Sequence, residues 1–150
     1  DAVGAIKTRI LPGAALVTPN LPEAEALTGL PVRTVEDMMD AGEDILALGA
    51  KAALMKGGHL DGDTVTDLLV TGEDCVGWEH PRIDTLHTHG TGCTLASACA
   101  VGLAQGLDLV DAVARAHAFV AEAIRTAPGL GKGHGPLNHG FTVIPFEPKN

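Results

Sequence analysis

Residues 51–58, KAALMKGG, form an unbroken apolar run closed by a lysine and two glycines. The apolar residues do not alternate with polar ones, which predicts a buried strand. A similar run precedes it: GAALVTPN (13–20) reads as a second buried strand, closed by Thr-Pro-Asn. Two helices are predicted between them. NLPEAEALTG (20–29) has Asn20 placed as cap, Pro22 in the first turn, Glu23 at the third helical position and Gly29 as terminator. TVEDMMDAGEDILALGA (34–50) follows, capped by Thr34, with Val35, Met38, Met39, Ile45, Leu46 and Leu48 expected largely on one side.

Downstream of 51–58, TVTDLLV (64–70) and CVGWEH (75–80) flank the turn-rich TGED and read as an antiparallel hairpin. TLASACAVGLAQG (94–106) is a predicted helix ended by Gly106. DLVDAVARAHAFVAEAIRTA (108–127) is another, capped by Asp108, with Leu109, Val113, Ala116, Val120, Ala123 and Ile124 as its apolar face. Residues 128–140 are rich in glycine and read as a loop. The first ten residues, with Lys7 and Arg9 and no clear cap, look like the end of a helix. Buried strands alternating with amphipathic helices predict an α/β fold: one domain with a mostly parallel sheet covered by helices and an antiparallel hairpin added at one side.

The chain has 150 residues, 45% hydrophobic and 19% charged, which is ordinary globular material. A formal net charge of −9 argues against a nucleic-acid or anionic-membrane partner, though a local site can still bind an anionic substrate. No apolar run reaches the roughly 18 residues of a membrane span. Nothing at the N-terminus has the pattern of a signal peptide. The three cysteines, Cys75, Cys93 and Cys99, lack a CxxC pair and fit reduced thiols. A cytoplasmic protein is the expectation.

In α/β sheets, ligands bind beyond the carboxyl ends of strands, near helix N-termini. That rule draws attention to three stretches. In HGTGCT (89–94), Gly90 and Gly92 let backbone N–H groups approach a ligand, and the helix that follows adds its positive dipole end. Together they suit a phosphate or a transferring phosphoryl group. The plainer alternative is a glycine turn with Thr91 or Thr94 capping a packed helix. Cys93 lies inside this turn, where a helix N-terminus stabilises a thiolate, so it could act as base or nucleophile. Cys99 reads as a core residue. Lys56, followed by Gly57 and Gly58, could reach phosphate oxygens from a strand end, or simply snorkel at the surface. Asn20 and Glu23 offer oxygens of the kind a hydrated Mg²⁺ accepts, although the same pair fits a capping box. His87, His89 and Cys93 lack a fourth partner at a recognisable metal-ligand spacing, so these histidines read as hydrogen-bonding supports for the loop. His134 and His139 carry no interpretable pattern.

Taken together, LVTPNLPEAEALTG, ALMKGGHLDGDTVTDLL, RIDTLHTHGTGCTLASACA and GKGHGPLNH resemble the hydroxymethylpyrimidine (phospho)kinases of thiamine biosynthesis, within the ribokinase-like superfamily. The resemblance runs to about residue 140. Cys93 stands where most ribokinase relatives, pyridoxal kinases included, carry aspartate. The resemblance implies ATP-dependent phosphorylation of 4-amino-5-hydroxymethyl-2-methylpyrimidine and its monophosphate. Gly90, Thr91, Gly92 and Cys93 would then line the anion hole, with Cys93 as the base facing the acceptor. Lys56, Gly57, Gly58 and Thr94 would serve ATP, and Asn20 and Glu23 would organise Mg²⁺. It also implies a homodimer. Because the resemblance covers only the C-terminal, nucleotide-side half of such kinases, the chain is expected to be nearly inactive alone. A pyridoxal-type kinase is one alternative; a non-catalytic nucleotide-binding module that needs a separate N-terminal half is another.

Overall fold

The computed structural model describes residues 2–143. Where the sequence predicts one domain, the contacts cluster in two compact units, Asp1–Arg82 and Ile83–Asn150.

The first unit opens helically, as expected. Helix α1 (Ala2–Ala5) passes into a π turn at Ile6–Ile10 and a 3-10 turn at Leu11–Gly13. Helices α2 (Leu21–Thr28) and α3 (Val35–Ala47) both start in capping boxes, Asn20 with Glu23 and Thr34 with Asp37. Gly29, with φ of 82°, ends α2 in the left-handed conformation that glycine adopts without strain. Helix α3 keeps its expected apolar face in Met38, Ile45, Leu46 and Leu48 and departs from it at two positions. Met38, Ala41, Gly42 and Ile45 are buried, whereas Val35 and Met39 are exposed. Small residues take the inward positions because α3 lies close to the sheet: a Cβ on Gly42 would stand 2.6 Å from Val70 Cγ2.

The strands are β1 (Ala52–Lys56), β2 (Thr64–Thr71) and β3 (Cys75–Pro81), in the order β1-β2-β3. Both pairings are antiparallel, with Met55 opposite Leu68 and Leu69 opposite Val76. The hairpin is as predicted, but the mostly parallel sheet is not what these strands form. Among the described residues of this unit, parallel pairing is confined to two isolated bridges, Val17 to Ala53 and Asn20 to Lys56. Residues 14–20 of the predicted 13–20 strand therefore run alongside β1 as an extended segment rather than a full strand, Gly13 closing the 3-10 turn before them. Val17 N–H donates to Ala52 O at 3.0 Å and Lys56 N–H to Pro19 O at 2.9 Å. Pro19 has no N–H to continue the ladder. The core between the helices and β1–β2 is built on Leu11, Met38, Ile45, Met55 and Val70.

The second unit is an α-helical pair, α4 (Thr91–Ala104) and α5 (Leu109–Arg125). Asp108 caps α5 as expected, accepting from Asp111 N–H at 2.8 Å. Its buried face is Ala112, Val113, Ala116, Val120 and Ala123, with Leu109 and Ile124 at the margins. Gly102 faces Ala112 so closely that a Cβ on the glycine would meet the alanine Cβ at 2.9 Å. Helix α4 starts three residues earlier than its predicted first residue, Thr94. The glycine-rich stretch after α5 is a loop, as predicted, but a tethered one: His89 N–H donates to Gly135 O, and Leu137 is buried. No helix among the described residues is long and apolar enough to cross a membrane.

Candidate functional site

In the first unit the extended segment 14–20 and strand β1 finish side by side, which brings Asn20, Glu23 and Lys56 together. Asn20 Oδ1 accepts from Glu23 N–H at 2.8 Å, and Glu23 Oε2 accepts from Asn20 N–H at 2.7 Å. The capping box is thus formed, with both residues in it. Lys56 has its side chain only 17% exposed and places Nζ 3.9 Å from Glu23 Oε2. It is an inward-leaning cation beside a carboxylate, not a free surface lysine.

A carboxylate has about four lone-pair sites and an amide oxygen two, so the cap leaves acceptor capacity on both side chains. The oxygen donors fit Mg²⁺ held through water better than direct ligation, because a hydrated ion can share oxygens that already accept one bond. The half-exposed Glu23 carboxylate is the stronger donor of the two.

The two glycines after Lys56 differ. A Cβ on Gly57 would collide with the Thr66 carbonyl oxygen. Gly57 N–H donates to the buried Asp67 Oδ1 at 2.8 Å. Its lack of a side chain is demanded by β2. Gly58 is exposed, its carbonyl accepts from Arg82 Nη1, and nothing stands where its Cβ would be.

In the second unit Gly90 is the N-cap of α4, with φ of 89° and no side-chain cap bond. Neither Thr91 nor Thr94 plays the capping part that the plainer reading assigned. Thr91 N–H and its hydroxyl both donate to Thr88 O, at 3.2 and 2.8 Å. Thr94 N–H and hydroxyl both donate to Gly90 O, at 2.9 and 2.8 Å. Gly92 and Cys93 are first-turn residues for whose N–H groups a helix supplies no acceptor. With no acidic residue in that turn, the end of the helix dipole is uncompensated by its own sequence.

Cys93 is exposed, whereas Cys99, two turns on, is buried. Burial pushes the Cys99 thiol up, and burial followed by the Glu43 carboxylate does the same to Cys75. Cys93 and Thr94 line a cleft of about 570 Å³ between α4 and α5, together with Ser97, Val101, Arg115 and Phe119. His139 lines the same cleft, its Nε2 2.8 Å from Thr94 Oγ1.

Sequence reasoning misses Arg115, Phe119 and His139. His139 lies 45 positions from Thr94, so no local spacing connects them. The hydrogen-bonding support expected of His87 and His89 is not what the described residues show. His87 Nδ1 is buried without a hydrogen-bond partner, and His89 bonds through its backbone N–H, to Gly135 O. The support comes from His134, for which the sequence offered no pattern. The His134 ring contacts Leu86 O at 3.2 Å, while a Cβ on Gly135 would strike the His87 ring.

Residues 1–138 match the family described as phosphomethylpyrimidine kinase. The chain is 47% identical over 143 residues to a hydroxymethylpyrimidine/phosphomethylpyrimidine kinase of Streptomyces coelicolor, covering 95% of this chain and 53% of the relative. It is 49% identical over 138 residues to a thiamine biosynthesis bifunctional protein ThiED of Geobacter sulfurreducens, covering 92% of this chain and 28% of that protein. Among solved structures, the pyridoxal kinase from Staphylococcus aureus in complex with AMP-PCP superposes with a TM-score of 0.89 at 36% identity, over 95% of this chain and 53% of that one. A phosphomethylpyrimidine kinase from Clostridium difficile gives 0.67 at 39% identity, over 81% and 48%. The α/β, ribokinase-like fold class predicted from the sequence agrees with these neighbours. The chain spans about half the length of the single-function kinases it matches.

Proposed function

The chain belongs to the phosphomethylpyrimidine kinase family, and from that premise we propose that it supplies the phosphoryl-handling half of an ATP-dependent kinase for hydroxymethylpyrimidine and its monophosphate. The observation that carries this reading is the first turn of α4. A left-handed glycine without a side-chain cap is followed by the Gly92 and Cys93 amides and an exposed thiol. Phosphoryl transfer asks for positioning and charge stabilisation rather than elaborate covalent chemistry, and such a turn supplies both.

In this reading the pyrimidine hydroxymethyl oxygen attacks the γ-phosphorus of ATP, the bond to the bridging oxygen breaks, and ADP leaves. The Gly90–Cys93 turn receives the charge on the transferring group, and Cys93 Sγ takes the hydroxyl proton. Lys56 neutralises nucleotide phosphate, with Gly57 and Gly58 keeping its strand end narrow, while Thr94 holds the turn. Asn20 and Glu23 would hold Mg²⁺, which would supply charge neutralisation for the phosphates. The acceptor contacts and the homodimer expected from the resemblance belong to the complete kinase, in the cytoplasm.

A pyridoxal-type activity is the second reading, favoured by the structural likeness to the Staphylococcus aureus pyridoxal kinase. One experiment addresses both. The 150-residue chain is mixed with the N-terminal half of a relative, and phosphorylation of hydroxymethylpyrimidine, its monophosphate and pyridoxal is followed with ATP and Mg²⁺. Turnover of the pyrimidines that is lost in Cys93→Ala supports the proposal. Turnover of pyridoxal alone selects the second reading, and turnover unchanged in Cys93→Ala removes Cys93 from the mechanism.

A further inference from the structure

The geometry points to His139 as a positioning residue for the phosphoryl-binding turn, an inference that rests on the kinase reading above. Thr94 Oγ1 lies 2.8 Å from Gly90 O and 2.8 Å from His139 Nε2. A hydroxyl carries one proton and a carbonyl none. One arrangement satisfies both contacts: the Thr94 hydroxyl donates to Gly90, and His139 donates Nε2–H to Thr94. If the hydroxyl donated to the ring instead, two oxygens would face each other at 2.8 Å with no proton between them. The neutral imidazole is therefore held as the Nε2–H tautomer.

The consequence falls on Gly90. Gly90 has no side chain to fix its own turn and takes a φ of 89°. The Thr94 hydroxyl ties its carbonyl down, and His139 keeps that hydroxyl turned towards it. The residues around His139 are anchored in the same unit. Leu137 is buried, Asn138 N–H donates to Ala123 O of α5 at 2.9 Å, and the Phe141 ring packs on Phe119 with centroids 5.0 Å apart. The imidazole is thus carried from a segment fastened to α5 onto the first turn of α4, in the cleft that Cys93 also lines.

The test combines ¹⁵N NMR of the imidazoles with iodoacetamide alkylation of Cys93. It uses the 150-residue chain and its His139→Leu, His139→Gln, Thr94→Val and His139→Leu/Thr94→Val variants, where histidine is neutral. The wild type should show His139 as the Nε2–H tautomer, and Thr94→Val should abolish that preference. His139→Leu and Thr94→Val should each change the Cys93 rate about fivefold, the worth of one neutral hydrogen bond. The double variant should change it no further, and His139→Gln, which retains a donor, should restore it. An Nδ1–H tautomer, additive effects in the double variant, or equal rates for the Leu and Gln variants would overturn the inference. None of these readouts needs turnover. Failure of the kinase reading would appear separately, as halves that do not phosphorylate while the His139–Thr94 coupling persists.

Discussion

Gly57 carries a structural duty that its place beside Lys56 conceals. Its amide serves the buried Asp67 carboxylate, and the Thr66 carbonyl occupies the space a Cβ would need. Gly57→Ala should therefore cost about 1–3 kcal/mol of stability through overpacking against backbone, and urea unfolding would measure it. Gly58→Ala meets no atom and should leave the urea midpoint almost unmoved. The cysteines differ as sharply. Cys93 is exposed, Cys99 is buried with its thiol pushed up, and Cys75 is pushed up by burial and by Glu43. Iodoacetamide at neutral pH should label Cys93 first, and ATP should slow that reaction. Equal rates at all three positions, read by mass spectrometry, would contradict an activated or ligand-facing Cys93.

At the scale of the element, the capping boxes of α2 and α3 are the features most directly written in the sequence. Asn20→Ala removes the acceptor for Glu23 N–H and should destabilise the chain by about 1 kcal/mol, whereas Asn20→Asp keeps a strong cap and should be near neutral. Thermal melts of the two variants test this; equal losses would mean the cap contributes nothing specific. Asp37 gives α3 a pH dependence. The Arg33 and Thr34 backbone N–H groups hold its carboxyl below the usual aspartate range. A lowered folded-state pKa means the stabilisation is present above the ordinary aspartate range and is lost as pH falls through the folded value. Asp37→Asn should thus lower stability at neutral pH, change it little in acid where the wild-type carboxyl is protonated, and so flatten the acid limb of the stability profile. An acid limb identical to wild type would exclude Asp37 as a contributor.

For the molecule as a whole, the chain carries the helix end proposed to receive phosphate on one unit and the proposed cation with its two oxygen donors on the other. It matches about half of each single-function kinase relative. Reconstitution with an N-terminal half should raise pyrimidine phosphorylation from near background to a readily measured rate. Omitting Mg²⁺ from that assay should abolish it, because the phosphates of ATP would then lack their counter-ion.

What the sequence determined by itself was local. Asn20, Thr34 and Asp108 announce helix starts because a cap is a bond between residues three apart. Residues 51–58 announce a strand because burial on both faces leaves an unbroken apolar run. HGTGCT announces a glycine turn at a helix start because two glycines and the apolar run that follows lie within a few positions. Only the tertiary structure decided the rest, because those choices depend on atoms distant along the chain. The direction of β1 against β2 is a matter of which partner lies beside it, and Pro19 limits the parallel alternative to two bridges. The inward face of α3 was decided by how closely Val70 allows Gly42 to approach. The pairing of His139 with Thr94 was decided by the anchoring of the 137–141 segment on α5, which no spacing along the sequence encodes.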